Sequence, residues 1–543
     1  MTSQAICAIL IIILSLVLRL QTLGQGVWLD ECISIYVAKM PDLTSMIATL
    51  SIQDFNPPLS HLILRYVIQY FGDGPVVVKI PALLCNLAMI PALIWLGSSV
   101  GSYRLGVIAA LFCALSPLSN HFSCQSRPYS IAMLTVCLSL CFFINALKAS
   151  ALKARISYMT GFVISTALCL YSHTVCVLIM PCYAVAYLWI WGLKKEHYLR
   201  WHEFMAGMTL AILPFLLWIP VILEQMSLPR WIEATRLSQM WFVYFYDYVM
   251  FAPFAPLHGI FFAGIALILA LCFAARQILK NGFGSWLTQC RTAIGRLDAP
   301  WIVIVCTTAI PAFLVGYLTP FAMGYFRYIL PFSAGGFIFW ACVIDRALGI
   351  KGKNNHSLVW TTLFWLMLAG LDIGWVAVTH QKPDSGLRTM AMDAKAGLYD
   401  GAAIMIAPDV TGPSFDYYMP IAERARHKVL LCGFTRWEPS KPCALKDLFA
   451  AWQPDSVVAD GQKHVLDLAA GGVKKLVFAR DRVIMSTPQV PKTKRIDQMQ
   501  AWLNEHYGRL PSPVSYYDGM TEQMQITIYD LEQDLASRSS QRL

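Results

Sequence analysis

Two carboxylates stand side by side in Trp28-Leu29-Asp30-Glu31, directly after an apolar stretch at 4–22. Arginines occupy comparable places later on, in Gln125-Ser126-Arg127-Pro128-Tyr129 and in Tyr325-Phe326-Arg327-Tyr328. A carboxylate at the edge of an apolar segment can take the proton of an attacking hydroxyl. A guanidinium can hold two phosphate oxygens by parallel charge-assisted hydrogen bonds. Both are needed to move a group from a lipid phosphate to a hydroxyl. The departing phosphate is already a good leaving group, so that reaction needs a base and a cationic clamp rather than a general acid. Lys79 is a further candidate for the phosphate, and Asn56, His61 and His173 are candidates for a substrate cavity.

Each residue also has an ordinary reading. Asp30, Arg127, Arg327 and Lys79 lie at helix ends, where long or charged side chains reach the interface at reduced cost. Trp28 suits an aromatic belt, and His173 suits a turn. The balance shifts because several such residues, of both signs, fall on one side of the chain's expected topology.

That topology follows from composition and charge. The chain has 543 residues, 57% hydrophobic and 14% charged, against about 25% charged in ordinary soluble domains. Apolar stretches long enough to cross about 30 Å of hydrocarbon occur near 4–22, 75–97, 104–118, 128–147, 156–172, 174–192, 203–223, 257–275, 300–318, 326–345 and 357–378. The expected fold is therefore an all-α polytopic membrane domain, residues 1–379, with about eleven spans plus juxtamembrane helices. The first stretch lacks the basic start and small-residue cleavage site of a signal peptide and is read as a retained anchor.

Of the net charge of +10, residues 380–543 contribute almost nothing, with 20 Lys and Arg against 19 Asp and Glu. The excess, 22 against 13, lies in residues 1–379. Alternate loops collect it: Arg104; Lys148, Lys153 and Arg155; Lys194, Lys195 and Arg200; Arg276, Lys280, Arg291 and Arg296; Arg346, Lys351 and Lys353. Positive loops face the cytoplasm, so the N-terminus is expected inside and the C-terminal part outside the membrane. His61–Phe71 is too short to span and would invert every later loop, so it is read as a juxtamembrane or re-entrant helix. The acid pair, the arginines and His173 then all face outward.

From about Gln381 the pattern changes. Short apolar runs at Ala402–Ala407, Lys428–Cys432, Lys474–Ala479 and Gln525–Tyr529 alternate with helical stretches at Phe415–Arg426 and Asp497–Tyr507. This predicts an extracytoplasmic α/β domain over 380–543. It carries no phosphate-binding loop, dinucleotide fingerprint or zinc spacing, and no basic, aromatic-interleaved cluster of a nucleic-acid binder. Most of the sixteen cysteines lie in apolar runs and act as small apolar residues. Cys432 and Cys443 lie in the polar part, where an outside location would permit a disulfide.

The ordered set Arg19-Leu20, Trp28-Leu29-Asp30-Glu31, Asn56-Pro57-Pro58-Leu59, Lys79-Ile80-Pro81, Ser116-Pro117, Arg127-Pro128-Tyr129, Ser172-His173 and Arg327-Tyr328-Ile329-Leu330-Pro331 resembles the C-type integral-membrane glycosyltransferases. Within them it resembles the bacterial branch of the protein O-mannosyltransferase and lipid A aminoarabinose transferase superfamily. The resemblance covers roughly residues 19–335. It implies a polyprenyl-phosphate-sugar donor, an inverting single displacement onto a lipid, glycan or protein acceptor, and a base at Asp30 with Glu31 as a secondary acid. It also implies donor-phosphate contacts from Arg127, Tyr129 and Arg327. Two departures stand out: Gln125 occupies a slot where the family often has Glu, and Lys79 one where it often has Arg. Lys keeps the charge there but loses the bidentate fork.

Adjacent carboxylates without a distant partner make a poor octahedral site, so no cofactor is expected and a divalent metal is the less favoured reading. A transporter or lipid flippase is the competing class. It would be expected to show repeat symmetry or broken helices in matching halves, and neither is evident.

Overall fold

A computed structural model describes residues 3–226 apart from 55 and 194, most of 297–318 and 330–347, and much of 385–534, with a few isolated residues between. Arg327, Cys432, Cys443 and the expected spans 257–275 and 357–378 lie outside the described residues.

The membrane part is a stack of apolar helices: α1 (Ser3–Leu23), α2 (Leu29–Ala38), α3 (Leu43–Gln53), α4 (Leu59–Phe71), α5 (Pro75–Val100), α6 (Tyr103–Leu115) and α7 (Pro117–Ser123). After these come α8 (Tyr129–Lys148), α9 (Leu152–Ser172), α10 (Ile179–Gly192), α11 (Trp201–Ile212), α12 (Ile219–Met226), α13 (Ala299–Leu318) and α14 (Ser333–Ala347). Among the described residues, five segments are long and apolar enough to cross a membrane: Gln4–Leu23, Pro75–Val100, Tyr129–Lys148, Thr174–Gly192 and Trp201–Gln225. Each matches an expected span. Three further expected spans appear as shorter apolar helices, Tyr103–Leu115, Ala299–Thr308 and Leu330–Cys342. The span expected at 156–172 is the 21-residue α9.

The departures have local causes. The stretch expected to run through 104–118 stops at Leu115, because Ser116 caps a new helix that opens on Pro117. Proline suits the first turn of a helix and not its interior. The carbonyls of Cys113 and Ala114, left without helical partners, accept instead from the buried Arg19 of α1. Arg19 also reaches Asn86 and Ser119, so this guanidinium is a structural cap inside the helix stack. The segment 203–223 breaks at Pro214 into α11, a short 3₁₀ turn and α12. The short helix expected near His61–Phe71 is α4, thirteen residues long. At the α5–α6 crossing the helices meet glycine to glycine: a Cβ on Gly97 would sit 2.2 Å from the Gly106 Cα.

The C-terminal part contains α15 (Gly386–Lys395), β1 (Ala402–Ala407), α16 (Gly412–Tyr418), β2 (Lys428–Leu431), α17 (Ser456–Ala470), β3 (Lys475–Asp481), α18 (Pro491–His506), β4 (Tyr507–Leu510), β5 (Tyr516–Tyr517) and β6 (Met524–Asp534). The sheet runs β2-β1-β3-β6-β4, with β5 also on β6. β1 pairs parallel with β2 and β3, while β6 is antiparallel to its neighbours. β1 is buried along its whole length, as a central strand covered on both faces must be. One apolar layer gathers Leu387, Met390 and Phe415 from α15 and α16, and the other gathers Val465, Met499 and Leu503 from α17 and α18.

Candidate active site

The α1–α2 loop is pinned residue by residue. Lys79 of α5, itself buried, donates to the carbonyls of Gln25 (2.9 Å) and Gly26 (2.7 Å). Trp28 caps α2, and its N–H donates to Glu31 Oε2 at 3.1 Å, a reach back from the third helical position that satisfies an otherwise orphaned donor. The other Glu31 oxygen accepts from the Ser126 N–H at 2.5 Å, which ties the α7–α8 loop to α2. Glu31 is fully buried, whereas Asp30, one position earlier, is only partly so. Neighbours in sequence thus differ in setting: Glu31 holds the turn from a buried position, and Asp30 is partly exposed.

Arg127 closes the arrangement from the other loop. Its Nη1 donates to the Asp30 carbonyl (3.0 Å), the Ser34 hydroxyl (2.7 Å) and Asp54 Oδ2 (2.8 Å). Asp54 ends α3. Its carboxylate also accepts from the backbone and side chain of Asn56 at 3.2 and 2.6 Å, and lies 3.3 Å from His61 Nε2. Arg127, Asp54 and His61 are 8, 4 and 1% exposed. Burial alone would raise the Asp54 pKa; the Arg127 charge and the His61 contact outweigh it and hold the carboxyl well below the usual carboxylate range. Gln225 at the end of α12 donates to the Asp54 carbonyl at 2.8 Å, so a fourth region of chain joins the knot. A cavity of about 20 Å³ beside it is lined by Ser34, His61, Ser126 and Arg127, room for one water molecule.

The structure thus brings Asp30, Glu31, Arg127, Asn56 and His61 together. Asn56 and His61 both pack against Asp54 in the polar knot, and His61 also lines the small cavity beside it. Lys79 is buried with its ammonium on the carbonyls of Gln25 and Gly26. Tyr129 and His173 form a separate pair, with ring centroids 5.5 Å apart and Phe122 on the other side of Tyr129 at 4.9 Å. His173 Nδ1 accepts from the Val175 N–H, which makes His173 the cap of the turn that opens the next apolar segment. Gln125, in the slot where the resemblance leads one to look for Glu, is 2.8 Å from His121 Nε2. Burial, with the Lys79 charge, pushes the His121 imidazole down to about 4. Among the described residues no three His, Cys, Asp or Glu side chains converge as metal ligands.

Asp54 and Ser34 were not legible as site residues. The signal for Asp54 was present, a single acid just before Asn56-Pro57-Pro58, but its partner Arg127 lies 73 residues further on.

This arrangement of helices has counterparts among solved structures. The chain is similar to ArnT from Cupriavidus metallidurans in the apo state, with TM-score 0.58 and 13% identity over 98% of each chain. It is similar to the same protein bound to undecaprenyl phosphate, with TM-score 0.54 and 13% identity over 96% of this chain and 97% of that one. It is also similar to the archaeal oligosaccharyltransferase AglB from Archaeoglobus fulgidus in complex with an inhibitory peptide and a dolichol-phosphate. There the TM-score is 0.51 and the identity 13%, over 96% of this chain and 74% of that one. The fold is the one these structures share. No family model matches the sequence, and no curated protein matches it.

Proposed function

We propose that this protein is an inverting glycosyltransferase that moves a sugar from a polyprenyl-phosphate donor to a lipid, glycan or protein acceptor on the extracytoplasmic face of the membrane. The observation that carries this reading is the setting of Asp30. It lies in the first turn of the helix that follows an apolar segment, partly exposed, with its backbone held by Arg127 and its turn held by Glu31. A fixed carboxylate of that kind can take the acceptor hydroxyl's proton as the hydroxyl attacks the anomeric carbon. The sugar–phosphate bond breaks, and the polyprenyl phosphate leaves with the bonding pair.

In this reading Asp30 is the general base and Arg127 orders it through the backbone. The charge developing on the donor phosphate is met by Arg327, with Lys79 and Tyr129 as supporting candidates. A preorganised cation near the phosphate matters most where charge grows, in the transition state. The undecaprenyl phosphate held by ArnT and the dolichol-phosphate held by AglB support a lipid-phosphate donor on this fold.

The test is incubation of the reconstituted protein with a panel of radiolabelled polyprenyl-phosphate sugars and a membrane extract as acceptor. Label leaving the polyprenyl carrier for a lipid, glycan or protein fraction is the expected result. Label that crosses the bilayer still attached to its carrier would instead make the protein a flippase.

A further inference from the structure

Among the described residues, the C-terminal domain meets the membrane part through a chemically specific contact at the α1–α2 loop. Tyr418, the last residue of α16, donates its hydroxyl proton to the Val27 carbonyl at 2.5 Å and accepts from the Val27 N–H at 2.6 Å. A single hydroxyl thus satisfies both backbone groups of one residue, much as a neighbouring strand would. Tyr417 donates to the Asp73 carbonyl in the α4–α5 turn at 2.8 Å. The two rings pack against a cluster formed by Val27, Cys32, Ile35, Ala38, Leu64 and Val78. There is no slack at this contact: a Cβ on Gly26 would lie 2.7 Å from the Tyr418 oxygen and 2.8 Å from the Arg388 Cδ.

These bonds complete a continuous series. Gln25 and Gly26 are held by Lys79 of the membrane part, Val27 by Tyr418 of the C-terminal domain, and Trp28 by Glu31. Two residues further on stands Asp30. A loop held only from one side could pivot about the α2 cap, and Tyr418 holds it from the other side.

We propose that Tyr418 is a positioning residue for the transfer reaction: the C-terminal domain serves as an outer brace that sets the α1–α2 loop, and through it the reach of Asp30. This inference rests on the reading of Asp30 as the base. It gives the C-terminal domain a part in turnover without any contact with substrate. A hydroxyl removed from a packed ring changes little volume, while a shift of the base by about 1 Å costs up to a hundredfold in rate.

The experiment uses the full-length protein in lipid nanodiscs and compares wild type, Tyr418→Phe, Asp30→Asn and the double variant. Tyr418→Phe is expected to lower kcat about tenfold with donor KM within about twofold, in keeping with misplacement of a catalytic group. In the Asp30→Asn background the same change is expected to add no further loss, since it acts through Asp30. Hydrogen–deuterium exchange of the peptide spanning 24–32 is expected to quicken in Tyr418→Phe, because the Val27 N–H loses its acceptor. Gly26→Ala, which displaces the same contact from the other side, should reproduce both effects. Wild-type turnover in Tyr418→Phe, its full tenfold loss repeated on top of Asp30→Asn, or unchanged exchange at 24–32 would each overturn the proposal. If Asp30→Asn itself turns over like wild type, the base assignment fails and the brace fails with it. If Asp30→Asn is inactive and Tyr418→Phe turns over like wild type, the brace alone fails.

Discussion

Removing the Asp54 carboxylate puts the polar knot under the most informative strain. In Asp54→Ala, Arg127 keeps its charge at 8% exposure but loses its acid partner, and both Asn56 donors lose their acceptor. Breaking a buried pair by deleting one member costs about 3–5 kcal/mol, mostly because a buried charge is stranded. Arg127→Ala leaves the buried Asp54 charge without its cationic partner, held by Asn56 and His61 alone, and should cost a similar amount. The double variant strands neither, so its cost should fall short of the sum by about 2 kcal/mol, within the range seen for residues in direct contact. Activity should follow the same pattern, because the Arg127 nitrogen that binds Asp54 also binds the Asp30 carbonyl. Asp54→Ala is therefore expected to lower kcat nearly as much as Arg127→Ala does. The assay is a double-variant cycle, with unfolding free energies measured in mixed micelles and turnover in nanodiscs. Stability losses that add within about 0.5 kcal/mol, or an Asp54→Ala enzyme at full turnover, would refute the reasoning. Arg127 would then act on the phosphate alone.

The pH dependence of stability should carry a His121 signature. The unfolded histidine titrates near 6.5 and the folded one near 4, so between these values the unfolded chain binds the extra proton and the native state loses stability as pH falls. The full shift corresponds to about 3 kcal/mol, and about 2 kcal/mol is expected for a ring only partly buried; thermal melts of His121→Asn should lack that slope, and an identical slope in both proteins would contradict it. Topology is open to cysteine labelling on a thiol-blocked background: Lys153→Cys should react only with a permeant reagent and Glu505→Cys with an impermeant one, and the reverse would invert the orientation. Transfer activity should survive prolonged EDTA treatment. A loss restored by a divalent ion would place a metal beside Asp30.

The parts of the fold legible in sequence were those set by local pattern. β1 was expected over the residues that form it, Ala402–Ala407, because six small and aliphatic residues between turn signals suit a buried strand and are too few for an ordinary helix. Of the helix expected at Phe415–Arg426, the part up to Tyr418 is seen, in a helix that opens at Gly412, while 421–426 lie outside the described residues. The break after Leu115 was written in Ser116-Pro117 but masked by hydropathy, which continues across it. Of the candidate site, Asp30, Glu31 and Arg127 were singled out by residue type and position, and the structure brings them together. What sequence left open was the division of labour between them. Glu31 is committed to a backbone N–H 95 residues away, and Arg127 to Asp54 and the Asp30 carbonyl. Lys79 reads in sequence as a loose cation near a span end, yet it is buried on two carbonyls of the α1–α2 loop. Tyr418 lies 391 residues from the backbone it holds, and nothing in the local pattern around it points there.

The central claim, that Asp30 accepts the acceptor's proton during sugar transfer from a polyprenyl phosphate, is tested most directly by the turnover of Asp30→Asn in nanodiscs with a donor that wild type uses. Asparagine keeps the size of the side chain and its place in the first turn of α2 but cannot serve as the base. The account predicts a kcat at least about a hundredfold lower, with donor binding and expression unchanged. Turnover within a few-fold of wild type would contradict it.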